Sequence, residues 1–422
     1  MTGTCSTTDY GNNGNVGVLW KTVSEDCNLA CDYCYYSTCG GKPGPRINRI
    51  DSAVLNTFIQ EYMEMSKGSA SFAWQGGEPL LAGLDFFEEV VMLQAAYAPA
   101  HTAISNALQT NGTLITDKWA AFFREYQFLI GISVDGPRDI HDERREDSRG
   151  QGSFDRVMKG IDCLRRHQVD FNILTVLHRG NINKARELIE FYEREEFTYV
   201  QFIPCMDFRS QETGMPGSYD ITPEEYGQFL CEAFDYWYND GQPRTSIRIF
   251  DNMLSVYTGR EAELCVHRSG CSTMLVLEQN GDAYPCDFYI HDDWRLGNVA
   301  EDSLNELLSH PARKLFLGMK QTLPEACRSC EYKPLCHGGC PRNRKWADDL
   351  SVSDPDYFCA GYKRIYAYAD EHMKTLGASL RRQLFAENVQ RYFKGRLPGR
   401  NDPCACGSGR KFKNCCADIA VS

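Results

Sequence analysis

The chain has 422 residues, 20 of them cysteine, and 45 Lys and Arg stand against 57 Asp and Glu for a formal charge of −12. At about 150 residues per domain the length points to roughly two to three domains, and the acidic balance argues against nucleic acid as a general partner, whose footprint is basic. A hydrophobic fraction of 42% with 24% charged residues describes a folded chain, and no run reaches the roughly 18 to 20 apolar residues of a membrane helix.

Residues 1–15 read as a flexible N-terminus without the basic-then-apolar layout of a secretory signal. The expectation is a cytoplasmic protein, no membrane contact, and thiols that serve as ligands or catalysts instead of disulfides. From Val16 to about residue 250 short apolar runs alternate with amphipathic ones. Strands are expected at Val16–Val23, Ser71–Gln75, Thr102–Leu108, Phe128–Val134, Phe171–Leu177 and Tyr199–Ile203. Helices are expected at Asp51–Met65, Leu84–Ala96, Asp117–Glu125, Phe154–His167, Ile182–Glu193 and Pro223–Trp237, with start signals at Thr116-Asp117, Ser153 and Thr222-Pro223-Glu224. Six strand–helix repeats imply an α/β fold with a parallel sheet, either curled into a partial barrel or left open and doubly wound.

After residue 255 the rhythm breaks into cysteine-rich loops, too poor in long periodic elements for a large apolar core, and bound metal would supply the missing stability. A helical run from about Tyr362 to Phe393 follows, and the Gly/Pro/Arg segment 395–400 reads as a linker.

The cysteines are clustered. Cys27, Cys31 and Cys34 spell CxxxCxxC after the first strand, and three thiolates in one loop suit an iron–sulfur cluster with an open iron site. Tetrahedral zinc would need a fourth ligand, for which Cys39 is the neighbour to consider. Gln75-Gly76-Gly77-Glu78-Pro79, Gln109-Thr110-Asn111-Gly112 and Ser133-Val134-Asp135-Gly136-Pro137 end successive strands, where βα folds bind ligands. The set CxxxCxxC and GGEP, extended by WQGGEPLLAG, LQTNGT, GISVDGP, YPCDFY and WRLGN, resembles the radical S-adenosylmethionine (SAM) enzymes. Within them it is similar to the anaerobic sulfatase-maturating enzymes, over roughly Val18 to Tyr366.

The resemblance implies a partial (β/α)6 radical SAM barrel over 16–250 and a SPASM auxiliary-cluster domain over 255–365. A helical extension and linker would occupy 366–397, and a small zinc motif 398–422. It implies radical oxidation of a Cys or Ser in an unfolded sulfatase polypeptide to Cα-formylglycine, fed by a low-potential donor such as flavodoxin or ferredoxin. Three 4Fe–4S clusters are implied. Cys27, Cys31 and Cys34 would hold the cluster that chelates SAM, Cys265, Cys271, Cys286 and Cys340 the first auxiliary cluster, and Cys327, Cys330, Cys336 and Cys359 the second. Spacing alone permits other partitions. The SAM contacts carried over are Tyr33, Gly77, Ser133, Arg145 and Met206, with Arg144 an alternative to Arg145 and a solvated charge run the competing reading for both.

Asp287, after Cys286, takes the place of the general base, and Gln75 that of a substrate-facing residue; a cap and a strand-end hydrogen bond are the plainer roles for these two. The tail Cys404-x-Cys406 and Cys415-Cys416, with Arg410, Lys411 and Lys413 between, resembles the SecA C-terminal zinc motif and implies one zinc ion and a ribosome or chaperone contact. Two rival readings are another SPASM peptide maturase, forming thioether or carbon–carbon links, and a non-catalytic zinc adaptor. The first is disfavoured because only a short segment precedes Cys27, where a leader-binding domain would sit.

Overall fold

The protein is described by a computed structural model that covers residues 16–37, 39–205, 220–347, 351–352 and 354–417. Residues 1–15, expected to be flexible, and Met206 lie outside the described residues. The chain divides into two compact units, one of Met1–Val176, Cys205–Arg209 and Ser272–Met319, the other of Leu177–Pro204, Ser210–Cys271 and Lys320–Ser422.

The first unit carries β1 (Val18–Lys21), β2 (Ser69–Gln75), β3 (Ala103–Thr110), β4 (Leu129–Ser133) and β5 (Phe171–Leu177). β6 (Tyr199–Pro204) and β7 (Ser246–Ile247) belong to the second unit; β8 (Leu275–Glu278), β9 (Asp282–Tyr284) and β10 (Gly297–Asn298) return to the first. Its strand order is β10-β9-β8-β1-β2-β3-β4-β5, parallel from β8 through β5 and antiparallel at β9 and β10.

Alternation along the strands decides which face is buried. On β2, Ala70, Phe72 and Trp74 are buried while Ser71 and Ala73 between them are less so. Trp20 and Trp74 stand opposite in the β1–β2 register and stack at 5.9 Å, with Phe58 and Phe87 of the flanking helices edge-on to them. Truncating a buried aromatic of this kind costs about 3–5 kcal/mol. Trp74 Nε1 donates to Asn106 Oδ1 at 2.9 Å, so the one polar atom of that ring is satisfied. The opposite parity places Glu278, Lys21 and Gln75 in one row, paired residue for residue across β8, β1 and β2 at their C-terminal ends.

In the second unit β6 and β7 pair in parallel, Val200 opposite Ile247. The helices Pro223–Tyr238 and Cys359–Phe393 cross at Gly227 and Gly361. A Cβ on Gly361 would lie 2.5 Å from the Pro223 carbonyl oxygen, so only glycine permits this approach.

All six expected strands and six expected helices occur, with ends shifted by up to three residues. Thr222 forms a full capping box with Glu225. Ser153 precedes its helix but does not cap it; its hydroxyl donates to the Arg145 carbonyl at 2.7 Å and meets His141 Nε2 at 2.9 Å. The cysteine-rich region is more ordered than its composition suggests, since β8 adds to β1 in parallel. Ser272–Met319 groups with the first unit. Among the described residues no helix is long and apolar enough to cross a membrane.

Candidate active site

Three loops follow β1, β2 and β3, and backbone bonds stitch them together. Gly77 N donates to Ser24 O at 2.6 Å and Glu78 N to Asp26 O at 2.8 Å. A Cβ on Gly77 would come within 2.0 Å of the Asp26 carbonyl oxygen, so the glycine admits the chain's own cysteine loop. Glu78 is fully buried and accepts from Leu80 N at 3.0 Å, Thr110 Oγ1 at 2.7 Å and Asn111 N at 2.8 Å, which ties the second loop to the third. Burial lifts its carboxyl to about 7 against those donors.

Cys27 Sγ accepts from Leu29 N at 3.4 Å and Asn111 Nδ2 at 3.8 Å, and Cys34 Sγ from Ser37 N at 3.2 Å. Burial, then the Glu78 charge, pushes the Cys27 thiol up; burial takes Cys31 to about 11 despite Arg145. Neighbouring thiolates at this depth need a cation, which iron supplies. The donor set therefore fits a cluster. Cys39 is otherwise engaged: its thiol donates to Cys27 O at 3.3 Å and accepts from Cys27 N at 3.3 Å. The Cys39 side chain is turned to this backbone and to Ser37 Oγ, at 3.3 Å.

Tyr33 and Arg145 meet at Asp135, which sequence reading quoted only as part of SVDG. The Tyr33 hydroxyl donates to Asp135 Oδ2, Arg145 Nε donates to the same atom at 2.8 Å, and Val176 N donates to Oδ1 at 3.0 Å. Burial raises the Asp135 carboxyl, but Arg145 first and Tyr33 after it more than offset this and hold it below the usual range. Arg144 takes a different direction: its Nε contacts Asp32, a mostly exposed residue, at 2.7 Å. Both guanidinium groups lie over the Tyr33 ring, at 5.1 and 5.3 Å. Ser133, at the end of β4, accepts from Gln109 Nε2 at 3.1 Å.

Asp287 follows Cys286 beyond β9 and is held from two sides. Lys21, whose side chain is fully buried, forms an ion pair with its Oδ1. Tyr35 OH donates to Oδ2 at 2.7 Å. That hydroxyl in turn accepts from Lys21 Nζ at 3.1 Å and Gln75 Nε2 at 3.3 Å. Lys21 also sits 4.2 Å from the Tyr36 ring centroid, and Tyr36 OH donates to Glu278 Oε1 at 2.6 Å. Gln75 and Asp287 thus share one hydroxyl. Sequence reading passed over Lys21 and Tyr35; the signal was a lysine closing the apolar strand Val-Leu-Trp-Lys, because a buried lysine needs a partner.

In the second unit one cavity is lined by Cys327, Cys330, Cys336 and Cys359, with Tyr332, Tyr362 and Tyr366 around them. Burial takes Cys271 to about 12; the charges of Cys340 and Cys265 add to it and that of Lys320 opposes it. In the tail the thiols of Cys404, Cys406, Cys415 and Cys416 lie within 4.8 Å of one another, a donor set for a single metal ion. This knuckle packs on the long helix: Phe412 stacks on Phe385 at 5.6 Å, and Asn388 Nδ2 donates to Ala405 O at 2.7 Å.

The model of the radical SAM superfamily matches residues 22–192, that of the iron–sulfur cluster-binding SPASM domain residues 265–331, and that of the SEC-C motif residues 400–418. A cysteine-type anaerobic sulfatase-maturating enzyme of Clostridium perfringens is 36% identical over 84% of this chain and 96% of its own length. The chain belongs to the anaerobic sulfatase-maturating enzymes. A serine-type member from Bacteroides thetaiotaomicron is 33% identical over 89% of this chain and 95% of its own. The solved structure of native anSMEcpe with bound AdoMet and Kp18Cys peptide superposes with a TM-score of 0.80 at 35% identity, covering 86% of this chain and 99% of that one. The architecture of this sulfatase-maturating enzyme is accordingly a partial radical SAM (β/α) barrel, a SPASM-type iron–sulfur domain and a small four-cysteine motif. Binding of SAM and iron–sulfur clusters comes with it, and a zinc adaptor without catalysis is set aside.

Proposed function

We propose that the protein oxidises one Cys or Ser side chain of an unfolded sulfatase polypeptide to Cα-formylglycine under anaerobic conditions. The observation that carries this reading is Asp287, a carboxylate beside Cys286, held by Lys21 and Tyr35 with Gln75 on the same hydroxyl. When bound, SAM and the clusters supply hydrogen-atom removal at the substrate Cβ and an outlet for the remaining electron.

The chain's own residues do the rest. Asp287 accepts the proton of the substrate thiol or hydroxyl, completing the loss of two protons and two electrons that turns the side chain into an aldehyde level of oxidation. Lys21 and Tyr35 fix the carboxylate, and Gln75 faces the peptide. Tyr33, Gly77, Ser133, Arg145 and Met206 contact SAM, with Asp135 orienting Tyr33 and Arg145. Of the two arginines, Arg145 is favoured by its buried bond to Asp135.

Three clusters are proposed on the ligand sets implied by the family pattern. The cavity lined by Cys327, Cys330, Cys336 and Cys359 supports the second auxiliary set. The tail thiols would hold one zinc ion, and the exposed Arg410, Lys411 and Lys413 would face an acidic ribosomal or chaperone partner. The domain limits 16–250, 255–365, 366–397 and 398–422, a flavodoxin or ferredoxin donor and a cytoplasmic setting complete the proposal.

The test is to incubate reduced, reconstituted protein with SAM and a peptide containing CxPxR or SxPxR, and to read masses and metals. Loss of two hydrogens at Ser, or replacement of the thiol by an aldehyde at Cys, with about 12 iron atoms per chain, is the expected result. A crosslinked peptide lighter by two mass units contradicts it.

A further inference from the structure

The second unit buries a lysine beside its cysteines, and none of the roles above uses it. Lys320 is 1% exposed. Its Nζ donates to Val266 O at 3.0 Å and to Gly339 O. Val266 follows Cys265 directly, and Gly339 directly precedes Cys340. One ammonium therefore clamps two segments, 73 residues apart at those carbonyls, each of which carries a cysteine at the adjoining position: Cys265 before Val266 and Cys340 after Gly339.

The segment around Gly339 is built to present these groups. His337, Gly338 and Gly339 all have positive φ, at 49°, 82° and 69°, so the chain turns tightly before Cys340. Gly338 O accepts from Arg344 Nε at 3.0 Å. Cys340 N donates to the buried Asp356 Oδ2 at 2.8 Å, and a Cβ on Gly339 would come 2.2 Å from that carboxylate. Carbonyls on one side go to Arg344 and Lys320, and the amide on the other goes to Asp356.

Among the described residues no carboxylate is within ion-pair distance of Lys320, whose hydrogen-bond partners are two neutral carbonyls. Such a buried charge is unfavourable unless an anion compensates it. Burial lowers the pKa of its ammonium and the charge of Arg344 adds to this, while the charges of Cys340, Cys271 and Cys336 oppose it. Thiolates bound to iron place net negative charge at that spot, and each added electron increases it. A fixed cation nearby then stabilises the reduced form, since cluster potentials follow local charge and hydrogen bonding.

We propose that Lys320 is a positioning residue of the auxiliary-cluster region: it fixes the Cys265 and Cys340 segments and, through its charge, raises the reduction potential of the cluster they ligate. The inference rests on reading Cys265, Cys271 and Cys340 as cluster ligands.

The test is an EPR-monitored redox titration of the reconstituted holoenzyme and of K320M, K320Q and K320R, with the SAM-responsive signal set aside. The expected result is a shift of one auxiliary midpoint to more negative potential in K320M and K320Q at unchanged iron content, with K320R close to the parent. Unchanged midpoints in both uncharged variants overturn the proposal. If both lose iron while K320R keeps it, the charge is needed to hold the cluster and the proposal stands; if K320R loses it as well, the side chain only packs and the proposal fails. Absence of any auxiliary signal in the parent protein would instead remove the ligand reading on which it rests.

Discussion

Replacing Asp287 by Asn separates the chemistry of this carboxylate from its part in the fold. Asn keeps the shape and loses the charge, so a base that contributes about 10²- to 10⁴-fold to proton transfer is removed, equivalent to roughly 3–5 kcal/mol in the barrier. The same change strands the fully buried Lys21. Removing one partner of a pair closed on both sides costs about 3–5 kcal/mol. Here the Asp287 side chain is 17% exposed, and Lys21 keeps Tyr35 and the Tyr36 ring. A loss of about 2–3 kcal/mol is therefore expected, below the range for a fully enclosed pair.

The double variant K21M/D287N removes both charges, and replacement of a whole buried pair by groups of similar shape is nearly neutral. It should regain most of the stability by urea unfolding while peptide oxidation stays down. Oxidised peptide is read by mass, and 5′-deoxyadenosine is quantified in parallel. SAM cleavage should persist in D287N as peptide oxidation falls. Wild-type peptide turnover in D287N, or its return in the double variant, would refute the assignment of Asp287 as base.

Arg145→Ala leaves the buried Asp135 without its guanidinium and should abolish SAM cleavage with a stability loss of about 3–5 kcal/mol. Arg144→Ala, losing the pair with exposed Asp32 and its place over the Tyr33 ring, should change stability by about 1 kcal/mol and leave SAM cleavage in place; equal effects in both would contradict the placement. Glu78 has a folded pKa of about 7 against an ordinary 4.5, so the folded state binds the extra proton. Its favourable contribution is complete below about 4.5 and fades as pH rises through about 7. Urea titrations of the parent should show stability falling across that window, and Glu78→Gln should flatten the fall. Cys404→Ser with Cys406→Ser should remove about one zinc per chain while iron content and peptide oxidation stay unchanged; a drop in iron would show that the tail is not an independent metal site.

The strand–helix alternation was legible because each element carries its own period and most have clear ends, as at Thr222. What followed residue 255 was not. β8 has four residues, and its place beside β1 is decided by a pairing across more than 250 residues of chain, which no local pattern announces. The same distance hid the site. Lys21 and Gln75 look like ordinary strand ends until the parallel register aligns them with Glu278, and Asp287 acquires its partners only when the chain returns after β9. Asp135 was visible as a residue but not as the junction of Tyr33 and Arg145, because its role depends on three elements converging. Cysteine spacing, by contrast, is a local signal: it marked the thiols of this region without dividing them into sets, and Cys327, Cys330, Cys336 and Cys359, the set implied by the family pattern, line one cavity.

The most direct measurement follows the hydrogen removed from the target residue. With a peptide deuterated at Cβ of its Cys or Ser, the reduced enzyme should move deuterium into 5′-deoxyadenosine as the aldehyde forms. 5′-Deoxyadenosine without deuterium, alongside aldehyde formation, would contradict the account.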